Sequence, residues 1–291
     1  MGAKVGTADL DEEFREVCKD LLNNDDDDYY CLRWLRGSAD RRNVASERAN
    51  LRTLRFRLQC IAWRKANNVD DFSKDDYKPP EFVHRTLIGG MYGVDKQGGP
   101  VWIYPFGNFQ IKPFLRGCTV KEILMYMAWR CEQGMKKMRE QSKKLGKVVE
   151  TQVVIFDFDN FSMLQALTAE GKEVYSVSAV SAFIRMYEAN YPERLHQAFV
   201  INVPSLFSVL FNLIKPLLTG NTLTKVHVLG KGKRHFIMSN CDNWKEEILK
   251  YVDADQLPKQ WGGNCVDEVT GDPFCSTHVN NKVIPLRKPP H

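Results

Sequence analysis

Residues 202–218 read NVPSLFSVLFNLIKPLL. On a predicted helix of about three and a half turns they carry Leu206, Phe207, Val209, Leu210, Phe211, Leu213, Ile214, Leu217 and Leu218. The polar residues Ser205, Ser208, Asn212 and Lys215 share one narrow stripe. A surface helix shows the reverse, a narrow apolar stripe on a polar cylinder. An apolar arc this wide is buried, spans a membrane, or covers something greasy. A bilayer span needs about 20 consecutive apolar residues. Two readings remain: a core helix, or a lid over an apolar ligand that also meets a membrane.

Outward from this stretch, the chain alternates strand and helix. The runs VVIF, FVIN and VHVL predict strands over 151–158, 198–203 and 225–229. GGMYGVDKQGGPVWIYPFG predicts a turn-rich hairpin in which Gly98, Gly99 and Pro100 feed a strand over 101–104. Helices are predicted over 120–144 and 174–188. Strands separated by helices imply an α/β fold with a mostly parallel sheet. Short, wholly apolar runs suit strands buried on both faces.

Residues 1–75 read as a separate helical subdomain, 76–275 as the α/β domain, and 276–291 as a tail. In the predicted helix 44–65, Leu51, Leu54, Leu58 and Ile61 recur on one face. From Arg41 to Lys65 the charge is basic: Arg41, Arg42, Arg48, Arg52, Arg55, Arg57, Arg64 and Lys65 stand against Glu47 alone. This is either a solvated helix face or one attracted to anionic lipid headgroups. Arg48, Arg52 and Arg55 are the candidate membrane-facing residues.

Composition narrows the function classes. Apolar residues make 43% of the 291 and charged residues 26%, the balance of an ordinary globular protein. A net charge of +5 is mild for a nucleic-acid binder and suits an anionic membrane surface at least as well. No apolar run of signal-peptide type opens the chain. MGAKVGT has Gly6 where a myristoylation site needs Ser or Thr. The eight cysteines form no Cys-x-x-Cys pair, so free buried thiols in a reducing compartment are expected.

Catalytic patterns are not found. Gly93–Gly98 and Gly230–Lys233 lack the spacing of a phosphate-binding loop. The six histidines form no His-Glu-x-x-His pair, and no Gly-x-Ser-x-Gly elbow occurs. Asp157 and Asp159 resemble a paired-carboxylate site, but with no His or metal motif beside them loop capping is the simpler role. No metal or cofactor is expected.

Several segments, in order, resemble the CRAL-TRIO family of lipid-binding proteins. They are CLRWLRGSADRRNVASER (31–48), EFVHRTLIGGMYGVDKQGGPVWIY (81–104), KLGKVVETQVVIFDFDNF (144–161), the long run 187–230 that holds NYPERL and NLIKPLL, and LPKQWGG (257–263). The resemblance implies that the helix within 205–218 gates an apolar pocket floored by the sheet. The implied lining is Tyr104, Ile155, Asp157, Ile201 and Val203 from the strands, and Val177, Val180, Ile184 and Tyr187 from the preceding helix. Phe207, Leu210, Phe211 and Ile214 come from the gate.

The implied cargo is one hydrophobic molecule: a tocopherol, retinoid, carotenoid, squalene or phospholipid. A monomeric cytosolic carrier with transient attachment to anionic membranes is implied, without a nucleic-acid partner. A sensing module that binds without transferring stays open as an alternative, and an enzyme acting on lipid is the weaker one. Glu193, Arg194 and Lys225 match positions that hold an inositol phosphate in the family. The family's basic pair near the N-terminus is replaced by Ser38 and Ala39, which disfavours phosphatidylinositol. Some members carry a β-sandwich after the lipid module, expected here to be absent or removed. Residues 231–243, KGKRHFIMSNCDN, make this connection about a dozen residues longer than in the family.

Overall fold

The computed structural model describes residues 47–74, 76–107, 109–161, 173–204, 207–230, 243–268 and 270–275, with backbone alone for 47–54 and 173–177. The expectations for Ser38, Ala39, the segment 231–242 and the tail 276–291 lie outside the described residues. The chain divides into two compact units, Met1–Asp71 with Arg185–Glu193, and Phe72–Ile184 with Arg194–His291.

In the first unit, helix α1 spans Glu47–Ala66. Of the apolar stripe expected from the sequence, Leu51 and Leu54 have side chains outside the described residues and Ile61 is half-buried. Leu58 is 47% exposed, whereas Arg57 and Cys60 are buried. The Cys60 thiol faces the Asn190 carbonyl at 3.8 Å, and the Trp63 ring meets Tyr191 edge-on at 6.3 Å. Offsets of three and four from Arg57 therefore define the buried stripe. The basic face is narrower than expected too. Arg57 is inside, and Arg64 pairs with Asp70 at 2.6 Å.

The second unit is built on a five-stranded sheet. The elements run α2 (Glu81–Thr86), β1 (Gly90–Val94), β2 (Pro100–Pro105), α3 (Ile111–Gly117), α4 (Val120–Leu145) and β3 (Gln152–Asp157). There follow α5 (Glu173–Asn190), β4 (Leu195–Ile201), α6 (Phe207–Ile214), α7 (Gly220–Leu223), β5 (Val226–Leu229) and α8 (Trp244–Leu249). The last turns of α5 belong to the first unit. The sheet order is β1-β2-β3-β4-β5; β1 is antiparallel to β2, and the other pairs are parallel. The mixed α/β architecture read from the sequence is the one observed, with strand boundaries moved by at most three residues.

Local chemistry explains the elements that position the sheet. In the β1–β2 turn the Asp95 carboxylate accepts the amides of Gln97 and Gly99 at 2.9 and 2.8 Å. Gly98 takes φ +95°, a region other residues avoid. Helix α4 starts with a capping box. The Thr119 hydroxyl accepts the Glu122 amide, and the Glu122 carboxylate accepts the Thr119 amide. The helix stops at Gly146, with φ +62°.

Strand alternation divides the sheet's side chains between two faces. Val101, Ile103, Val153, Ile155, Phe199, Ile201 and Leu229 pack with Ile248, Val252, Leu257 and Trp261 from the C-terminal segment. The register pairs Tyr104 with Phe156, Phe156 with Val200, and Val200 with Val228, so this row lies on the opposite face. The described cysteines Cys60, Cys118, Cys131, Cys265 and Cys275 form no disulfide with one another. Burial pushes the Cys118 thiol up to about 11, with Glu122 adding to the shift.

Candidate functional site

The face that carries Tyr104 is aromatic over most of its length. Trp102 stacks with Tyr104 at 6.4 Å, and Tyr104 with Phe156 at 5.3 Å. Phe106 lies 6.1 Å from Tyr104 and 5.4 Å from Phe158. Phe158 reaches Phe207 of α6 at 5.3 Å, and Phe207 stacks with Phe211 at 6.0 Å. A continuous run of rings thus leads from the middle of β2 to the helix over β4 and β5. Ring pairs at these separations add modestly to the burial of their area.

Helix α6 sits on this run. Phe207 and Phe211, four residues apart, are 5% and 6% exposed and pack on Val200. Val203, Leu210 and Ile214 pack around them, together with Phe156, Phe158, Val226 and Val228. The far side of the same helix is also apolar, with Val209 47% and Leu213 53% exposed. The α-helix is shorter than the sequence implied, because Lys215–Leu217 is a 3₁₀ turn. Pro216 has no N–H to continue the ladder. Gly220 opens α7, with Thr219 as its cap.

The other end of the aromatic run meets α4. The Trp102 indole donates to Gln152 Oε1 at 3.0 Å in a buried contact. Gly134 lets α4 come close there, since a Cβ would stand 2.8 Å from that oxygen. Arg130, one turn earlier, lies with its guanidinium carbon 4.9 Å from the Trp102 ring centre and 5.5 Å from those of Tyr104 and Tyr126. Burial pushes the Tyr104 phenol above its ordinary range, against the pull of Arg130.

The expected lining divides into three groups. Tyr104, Val203, Phe207, Leu210, Phe211 and Ile214 are on the aromatic face or pack with it. Ile155, Asp157 and Ile201 are not, which corrects their expected place beside Tyr104. Their side chains alternate to the other face, where Ile155 and Ile201 are core. Asp157 is a structural tie there. It accepts the Trp261 indole at 3.0 Å, the Asn202 amide group at 2.8 Å and the Asp159 amide at 3.0 Å. The last of these is the loop capping expected of the Asp157–Asp159 pair.

The remaining residues are scattered. Val180 is exposed and Ile184 half-buried, while the Val177 side chain lies outside the described residues. Tyr187 and Glu193 belong to the first unit, where Tyr187 stacks with Tyr191 at 5.9 Å. Arg194 is buried and donates to the Glu150 carbonyl at 3.3 Å, and Lys225 is half-buried. Sequence reasoning missed Trp102, Phe106, Phe156, Phe158 and Arg130. The alternation counted from Tyr104 reaches Phe156, Val200 and Val228 only through the observed parallel register. Among the described residues no group of three or more His, Cys, Asp or Glu is placed to hold a metal, and no helix is long and apolar enough to cross a membrane.

Comparison with known proteins places this arrangement. Residues 84–263 match the family model described as the CRAL/TRIO domain. The CRAL-TRIO domain-containing protein T23G5.2 of Caenorhabditis elegans is 31% identical over 206 residues, which cover 71% of this chain and 27% of that protein. The Sec14 cytosolic factor of Schizosaccharomyces pombe is 30% identical over 246 residues, covering 82% of this chain and 75% of that protein. The crystal structure of Sfh5 superposes with a TM-score of 0.56 at 17% identity, covering 79% of this chain and 72% of that one, and supports the fold. The chain spans about a third or less of the first curated relatives it matches. With the domain model matching well over half of its length and the Schizosaccharomyces pombe relative aligned along three quarters of its own, this chain belongs to the CRAL-TRIO family.

Proposed function

We propose that the protein binds one hydrophobic, lipid-like molecule on the aromatic face under α6 and carries it between membranes. The observation that supports this reading is the two-sided character of α6. Phe207 and Phe211 cover an aromatic surface, while Val209 and Leu213 offer a second apolar surface to the outside. A helix whose only task is to close a core has no use for the second surface. A lid that opens at a bilayer needs both.

The energetics require such a device. Burying a C20–C30 ligand gains about 25 cal/mol per Å² of apolar surface relative to water, but little relative to a membrane. Exchange then depends on opening at the bilayer, where the ligand and the exposed side of α6 enter the same medium. The cargo class is a tocopherol, retinoid, carotenoid, squalene or phospholipid, and no covalent step is involved. The protein works as a monomer from the cytosol, with transient attachment to anionic membranes through Arg48, Arg52 and Arg55.

Transfer of a fluorescent retinoid or tocopherol analogue from donor to acceptor vesicles tests the reading. Transfer that rises in proportion to protein is expected. Binding without transfer would replace it with a sensing module, and absence of both would end it.

A further inference from the structure

Arg130 is a buried cation that the fold leaves incompletely partnered. It is 7% exposed, on the inward side of α4. Its Nη1 donates to the Tyr126 hydroxyl at 3.0 Å and its Nη2 to the Gly89 carbonyl. Gly89 is at φ +109°, and a Cβ there would collide with Tyr104 and the Ile103 carbonyl, so this carbonyl is brought close by a glycine-only turn. Among the described residues the Nε–H has no acceptor. No carboxylate among the described residues pairs with the guanidinium, which also lies beside the rings of Trp102, Tyr104 and Tyr126 and interacts with the Tyr104 hydroxyl.

An arginine cannot escape burial by losing its proton. Three ring faces compensate part of the desolvation. They leave a donor unsatisfied and a positive charge without an anion, and each is costly in a low-dielectric interior. The same rings make the start of the aromatic run that ends under α6. A molecule lying along that run would bring one of its ends to Arg130.

We propose that Arg130 is the anchor for an anionic oxygen, carboxylate or phosphate, at the inner end of the bound lipid. This rests on the reading that the aromatic face holds a lipid, and it names the polar end that such a lipid carries. The bound oxygen accepts the free Nε–H and neutralises the guanidinium. A charge-assisted hydrogen bond of this kind favours the acid over its neutral derivative about tenfold to a hundredfold.

The test uses cis-parinaric acid and its methyl ester, with the same fluorescent tail and different ends. Saturable binding of both, with the acid at least about tenfold tighter, is expected. In Arg130→Met the ratio of the two affinities should fall toward one, and Arg130→Lys should recover part of it. A fatty acid and a lysophosphatidic acid of equal chain length then separate carboxylate from phosphate by competition. Equal affinity of the wild-type protein for acid and ester would overturn the anchor and leave lipid binding standing. Failure to bind either probe would overturn both. Because the wild-type ratio needs no variant, a misfolded Arg130→Met leaves the decision unaffected.

Discussion

The ring of Phe158, at the end of the central parallel strand, lies 5.3 Å from the ring of Phe207 in the first turn of α6. This contact joins the helix to the sheet where the aromatic run ends. Side-chain packing thus holds α6 to the sheet, and the proposed function has that packing exchanged for a bilayer.

The first consequence concerns Phe211. Replacing it by Asp puts a charge where 6% of the side chain is exposed. In a fixed core this costs several kcal/mol and removes the cooperative melt. On a movable cover the protein should melt cooperatively while lipid retention and vesicle transfer fall sharply. Phe199→Ala, in the core on the other face of the sheet, is the control and should cost about 3–5 kcal/mol. Loss of melting in Phe211→Asp, or unchanged transfer, counts against the cover.

The outer face of α6 gives a complementary expectation. Val209→Ser with Leu213→Ser alters exposed side chains, so stability should change by no more than about 0.5 kcal/mol per site. Vesicle transfer should drop because the helix loses the surface that enters the bilayer. Equal transfer by the double variant would show that this face has no part in membrane contact.

Headgroup preference follows from the N-terminal sequence. By the resemblance, Ser38 and Ala39 stand where the family carries a basic pair, and a phosphoinositol buried without those donors suffers a desolvation penalty. Phosphatidylinositol should therefore compete poorly with an isoprenoid acid such as an acidic retinoid, whose carboxylate needs only Arg130. Stoichiometric displacement of a bound retinoid by phosphatidylinositol at equal concentration would contradict this.

Charge reversal at Arg48, Arg52 and Arg55 should weaken sedimentation with anionic vesicles, and added salt should act the same way through screening. Ligand occupancy in solution should stay the same. Vesicle binding that ignores both changes would make these arginines a solvated face.

A pH effect is expected at His227. Burial lowers its pKa below the ordinary 6.5, with Lys250 acting in the same direction and Glu247 opposing. Its Nε2 lies 2.6 Å from Gln197 Oε1. With the folded value below the unfolded one, the unfolded chain binds the extra proton first. Stability is therefore complete above about 6.5 and declines as pH falls below it toward the folded value. The melting temperature should drop across that window, and His227→Gln should flatten the drop. An identical pH profile in the variant would assign the effect to other groups.

Much of the architecture was legible in the order of residues. VVIF, FVIN and VHVL, separated by helix-length segments, determined a parallel sheet because only crossovers of that length join parallel strands. The width of the apolar arc in 202–218 left a core helix or a lid, and the helix predicted over 120–144 matches α4 to within one residue. The sequence could not say which side of the sheet that helix covers. Both faces of β3 and β4 are apolar, so composition gives no preference between Ile155 and Phe156 or between Ile201 and Val200. That choice was made by tertiary packing, when Ile248, Leu257 and Trp261 closed one face and left the aromatic one to α6. Arg130 was hidden for a related reason. In sequence it is one basic residue on an amphipathic helix, and only the approach of Trp102, Tyr104 and the Gly89 carbonyl turns it into a buried charge.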